Sequence, residues 1–137
     1  MIYLTRRERF SAAHRLFQPD LSDQENIEKY GPCANPSWHG HNYIMWITVK
    51  GEVNKKNGYV ADLKEISLLL KKYIVDKLDH KNINLEVDFM NGVIASTENL
   101  AIGIWNQIEE PVSQLGVTLH CVKLEETENN IVEYYGD

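Results

Sequence analysis

The sequence predicts an α+β fold, a four-stranded antiparallel sheet with two helices packed on one face. Three observations predict it. Two runs rich in β-branched and aromatic residues precede a pair of helical patterns, and two more follow it. Each helical pattern carries its apolar residues on one stripe only. No repeat, low-complexity tract or Gly/Ser-rich linker divides the 137 residues, so one domain over 1–137 is expected.

The elements follow in order. Residues 2–13 alternate loosely and read as a strand that ends in FSAAH. Residues 15–38 form a polar connection containing Pro19, Gly31, Pro32 and Pro36. Within it, Ser22 and Glu25 have capping-box spacing and start a short helix through Tyr30. Residues 42–53, with YIMWITV at their centre, read as a second strand. Gly58 marks a turn. Asp62 and Glu65 then open a helix whose stripe is Leu63, Ile66, Leu70, Tyr73 and Ile74. A second helix begins near Ser96 and Thr97, turns Leu100, Ala101, Ile104, Trp105 and Ile108 inward, and is expected to stop before Pro111. Residues 117–126 and 131–135 make a hairpin around the polar turn ETENN.

Composition narrows the function. Twenty acidic against 14 basic residues give a net charge of −6, which disfavours nucleic acid or an anionic membrane as partner. Arg6, Arg7 and Arg9 have the spacing of a strand with a solvated face. Two well-separated cysteines, Cys33 and Cys121, argue against a disulfide framework and for a reducing cytoplasm. The start, MIYLTRRERF, has no apolar signal core, and no stretch approaches the roughly 18 apolar residues of a membrane span. A chain this long buries a core without a structural metal, so a bound metal is expected to serve chemistry.

A metal constellation is visible. His39 and His41 flank Gly40, and residues two apart on a strand share a face. His14 closes the first strand, and antiparallel pairing lays the end of one strand beside the start of the next. Three imidazoles thus converge at one sheet end, with Gly40 expected to relieve crowding. Three neutral histidines with an open fourth position is the arrangement of catalytic zinc, although iron and copper also accept histidine. His120 has no partner at ligand spacing and stays unassigned.

Cys33 lies six residues before His39 in the loop GPCANP, whose composition argues against a core position. A thiol there is within reach of neutral-pH proton transfer. Asp79 and His80, in LDHKN, have the composition of a carboxylate orienting an imidazole. Two helix terminators facing apart fit the same residues. Glu126 can accept two adjacent N–H donors of a ligand edge. Its neighbours Glu125 and Glu128 fit a solvated strand end, the reading these residues alone favour.

Together the blocks FSAAHRL (10–16), LSDQEN (21–26), GPCANPSWHGHNY (31–43), LDHKN (78–82), STENLAIGIW (96–105) and EETENNIVEYYG (125–136) resemble the 6-pyruvoyltetrahydropterin synthase family across essentially the whole chain. The resemblance implies the T-fold, assembled as two stacked trimers into a homohexamer with active sites between subunits. It implies Zn2+ on His14, His39 and His41. Cys33 would be the proton carrier, assisted by Asp79 and His80 of a neighbouring subunit. Glu126 would anchor the pterin ring, helped by Thr97 and Glu98. The implied reaction takes 7,8-dihydroneopterin triphosphate to 6-pyruvoyltetrahydropterin with loss of triphosphate, a carbon–oxygen lyase activity. No dinucleotide fingerprint is present.

Two alternatives stand beside it. Relatives in the same superfamily make 6-carboxytetrahydropterin for queuosine. The six-residue step from Cys33 to His39 and the LSDQEN insert favour the pyruvoyl type. A pterin- or metal-binding module without turnover is the reading from another class. Pro32 stands where the family commonly has lysine, and bulky Trp38 directly precedes the histidine pair. Arg15, Lys29 and Lys81 are the candidate cations for the triphosphate, and nothing in the sequence selects among them.

Overall fold

Two long strands build the centre of the molecule. In the computed structural model, which describes residues 1–137, β1 (Ile2–His14) pairs antiparallel with β2 (His39–Gly51) along its whole length. The strands reach further than their alternation suggests. His14 lies within β1, and β2 starts at His39 instead of residue 42. Thr118–Thr127 (β4) pairs with β2, and Asn130–Tyr134 (β5) closes the hairpin with β4. These four strands form the expected antiparallel sheet. A fifth, β3 (Lys81–Asn82), joins parallel to β1 and gives the order β3-β1-β2-β4-β5. Two residues are too few to show an alternation in sequence.

The helices cover one face. The short helix α1 (Asp23–Tyr30) has the expected capping box: Ser22 Oγ accepts from Glu25 N and Glu25 Oε1 accepts from Ser22 N, both at 3.1 Å. Asp62 caps α2 (Leu63–Leu70). This helix continues through a π turn, Lys71–Val75, into α3 (Asp76–Leu78). The stripe it buries is Ile66, Leu70, Ile74 and Leu78, while Leu63 stays exposed. Four residues exceed an α-helical turn by about 40°, so a row at this spacing drifts off its face. The wider π turn takes up the drift.

After β3 come α4 (Ile83–Glu86), capped by Asn82, and a 3₁₀ turn, Asp88–Met90. Ser96 caps the long helix α5 (Thr97–Ser113), which runs through Pro111 instead of stopping before it. Val112 lies buried and Leu115 packs on the core, so tertiary burial overrides a proline placed in the last turn.

Phe10, Tyr43, Met45, Ile47, Val122 and Leu124 of the sheet share one apolar cluster with Leu100, Ile104 and Ile108 of α5. Each fully buried side chain of this size contributes about 1.5–3 kcal/mol. Arg7 and Arg9 point to solvent as their spacing suggests, and Cys121 is buried. No helix is long and apolar enough to cross a membrane.

Candidate metal centre and adjacent cleft

The β1–β2 register places His14 opposite His39 and Ala12 opposite His41. All three imidazoles therefore emerge on the helix-covered face at one end of the sheet. Their ring centroids are 4.5, 5.1 and 5.0 Å apart, and one ligand nitrogen from each lies within 4.8 Å of the others. Gly40 does not sit among them. A Cβ there would meet the carbonyl oxygen of Ala12 at 3.4 Å on the other side of the strand, because alternation sends residue 40 away from 39 and 41.

His14 is 2% exposed, and its Nδ1 lies 2.7 Å from the carbonyl oxygen of Ala95. A carbonyl only accepts, so Nδ1 carries the proton and Nε2 keeps its lone pair. Both ring nitrogens of His39, and Nε2 of His41, are buried without a hydrogen-bond partner. Leaving such an atom unsatisfied costs about 1–3 kcal/mol. A divalent cation accepting one lone pair from each ring offsets part of that cost, so the donor set fits a zinc-type ion. Burial pushes the pKa of His14 and of His39 down, and the neighbouring imidazoles push both the same way. Neutral rings are the form that ligates.

Tyr43, two residues past His41 on the same face, is fully buried and stacked on Phe10. Its hydroxyl lies 3.4 Å from each nitrogen of His14. Burial raises its pKa, and Glu126 and Cys33 add to the rise.

Glu126, near the end of β4, is not the solvated terminus that its acidic neighbours suggest. Its side chain is 19% exposed, and it accepts a hydrogen bond from the Thr97 hydroxyl at the start of α5. Its carboxylate oxygens stand 3.6 Å from His41 Nε2 and 3.9 Å from His14 Nε2. Glu126 and Thr97, together with Leu16, Ser96, Glu98 and Asn129, line a cleft of about 400 Å³. Glu98 is exposed at its rim.

Cys33 lies in the 3₁₀ turn Gly31–Ala34 and is half-buried. Its carbonyl accepts from Leu16 N at 2.8 Å, which ties the turn to the residues after His14. Asp79 and His80 form the pair that adjacency leaves open: Asp79 Oδ2 stands 3.0 Å from His80 Nδ1. They also grip Ser11, whose N–H donates to Asp79 Oδ1 at 2.9 Å and whose carbonyl accepts from His80 N at 2.6 Å. The Ser11 N–H donated to its carboxylate, followed by the His80 contact, holds the Asp79 pKa below the usual carboxylate range. His80 adopts φ +61° with its side chain 84% exposed. No hydrogen bond or ion pair within the chain joins the pair to Cys33. Trp38, before His39, is the other non-glycine residue at positive φ, +69°.

Sequence reasoning did not single out Ala95 or Tyr43. Only Tyr43 carried a signal, its two-residue step from His41.

A family model described as 6-pyruvoyl tetrahydropterin synthase matches residues 3–137. The 6-pyruvoyl tetrahydrobiopterin synthase of Homo sapiens is 42% identical over 134 residues, 98% of this chain and 91% of the human protein. That of Dictyostelium discoideum is 43% identical over 136 residues, 99% and 97% of the two chains. The solved structure of 6-pyruvoyl tetrahydropterin synthase from Caenorhabditis elegans superposes with a TM-score of 0.92 at 36% identity, covering 99% of this chain and 96% of that one. With the T-fold sheet and the imidazole cluster already in place, these likenesses show that the chain belongs to the 6-pyruvoyl tetrahydropterin synthase family.

Proposed function

We propose that this protein is a zinc-dependent lyase that converts 7,8-dihydroneopterin triphosphate to 6-pyruvoyltetrahydropterin with release of triphosphate. The observation that carries this reading is the group of three clustered imidazoles, with unpartnered nitrogens on His39 and His41, set against a half-buried carboxylate in an open cleft. Human and Dictyostelium relatives above 40% identity bear the name of this activity.

His14, His39 and His41 are the residues to hold the ion. Bound there, zinc supplies Lewis acidity toward side-chain oxygens of the substrate and so acidifies the adjacent C–H bonds. Glu126 binds the ring edge. The Thr97 hydroxyl occupies one of its oxygens, which leaves lone pairs to accept two adjacent N–H groups of a pterin. Glu98 lines the same cleft. Cys33 removes and returns protons along the substrate side chain. Asp79 orients the His80 ring through its Nδ1 contact and leaves Nε2 without a partner in the chain. Oxidation of the side-chain carbons balances reduction of the ring, so no nicotinamide is required.

The exposure of His80 and the lack of a bond to Cys33 within one chain support a homohexamer in which His80 serves a neighbour's Cys33. Two unpaired cysteines support a cytoplasmic setting. The test is incubation of zinc-loaded protein with 7,8-dihydroneopterin triphosphate, reading released triphosphate and product mass. A pyruvoyl product is expected. A carboxy product would reassign the reaction, and no release would leave a binding module.

A further inference from the structure

We propose that Arg15 is a positioning residue that holds the Cys33 turn against the metal-bearing strand, and is not the cation that receives the substrate's phosphates. This rests on the function proposed above. Arg15 is the first residue after β1, and only 11% of its side chain is exposed. Its Nε donates to the carbonyl of Ala34 at 2.8 Å, and a terminal nitrogen donates to Asp23 at 2.9 Å. The guanidinium also lies 4.3 Å over the Phe17 ring.

Its backbone is fixed as firmly. Arg15 N donates to Asn84 Oδ1, and Asn84 Nδ2 donates back to the Arg15 carbonyl, each at 3.0 Å. The next residue, Leu16, holds the Cys33 carbonyl at 2.8 Å. Thus two consecutive carbonyls, of Cys33 and Ala34, hang from the two residues that directly follow His14.

The turn needs such tethers. A 3₁₀ segment of four residues has few internal bonds and does not fix its own placement. Arginine suits the task because its planar fork reaches Ala34 and Asp23 at once, whereas a lysine ammonium is a single point. The same engagements unfit it for a triphosphate: its charge is already paired with Asp23, and little of it faces solvent.

The test compares wild-type and Arg15→Lys protein, both zinc-loaded, for kcat, KM, inhibition by inorganic triphosphate, and iodoacetamide alkylation of Cys33. Buried Cys121 serves as the internal reference. A shift of about 1 Å in a reacting group costs about a hundredfold. The expected result is kcat lowered by about ten- to a hundredfold on that scale, with KM, triphosphate inhibition and zinc content unchanged. Cys33 alkylation should rise several-fold. A raised KM with weaker triphosphate inhibition and unaltered kcat would overturn the proposal and make Arg15 a phosphate ligand. Unchanged kcat and alkylation would overturn it as well. Should Arg15→Lys not fold, Phe17→Leu and Asp23→Asn loosen the same restraint from two sides. Both should speed alkylation and lower kcat modestly, and no change in either would overturn it. If wild-type protein releases no triphosphate, the functional reading fails, and the alkylation rates alone decide the restraint.

Discussion

His14 and Ala95, 81 residues apart, are joined by a 2.7 Å hydrogen bond that commits Nδ1 of the imidazole and leaves Nε2 for another partner. One backbone carbonyl thus selects the tautomer suited to metal binding. Burial lowers the pKa of His14 and of His39 below 6.5 in the folded state. The unfolded chain therefore binds more protons than the folded one as pH falls below about 6.5. Metal-free protein should be at full stability above that pH and lose it progressively below. Thermal unfolding of chelator-treated protein from pH 8 to pH 5 measures this. A His39→Ala variant should have a shallower slope, and a flat wild-type profile would contradict it.

Metal and proton carrier should separate by mutation. His39→Ala removes one of three ligands and should weaken zinc binding by about a hundredfold or more, roughly 3 kcal/mol, with activity lost as a consequence. Cys33→Ala should keep full zinc and an unchanged melting temperature while turnover collapses. Atomic absorption beside the activity assay distinguishes the two. Zinc loss in Cys33→Ala would make the thiol a ligand.

The Glu126–Thr97 pair should govern pterin affinity. Glu126→Gln removes a charge-assisted acceptor worth about 1.5–3 kcal/mol, or about ten- to a hundredfold in affinity. Thr97→Val frees one carboxylate oxygen from its donor and should have a smaller effect of the same sign. Titration with a non-reactive pterin reads both. Unchanged affinity in Glu126→Gln would remove it from the ring site.

Asp79 and His80 should act on turnover without touching the metal. Asp79→Asn keeps an oxygen for Ser11 N but loses the charge that orients His80, so kcat should fall by about a hundredfold with zinc content unchanged. Mixing inactive Cys33→Ala subunits with impaired Asp79→Asn subunits should raise activity above that of either variant if the two groups meet between chains. Absence of recovery in verified mixed oligomers would put the pair elsewhere.

Much was readable along the chain because it depends on local pattern. The capping box at Ser22, the cap at Ser96, the hairpin after residue 117 and the same-face placement of His39 and His41 all follow from spacing within a few residues. The end of α5 was not, because the burial of Val112 keeps the helix going past Pro111. Nor was β3, whose two residues gain meaning only beside β1.

By itself the sequence determined which residue types were available for metal, proton transfer and ring binding, and that His14 and His39 would meet if their strands paired. Tertiary structure alone decided that Ala95 sets the His14 tautomer, that Thr97 holds Glu126 beside the imidazoles, and that Asp79 and His80 grip Ser11. The physical reason is range. Spacing reports faces and caps within one element, whereas a hydrogen bond across 29, 68 or 81 residues exists only after the sheet and helices have packed.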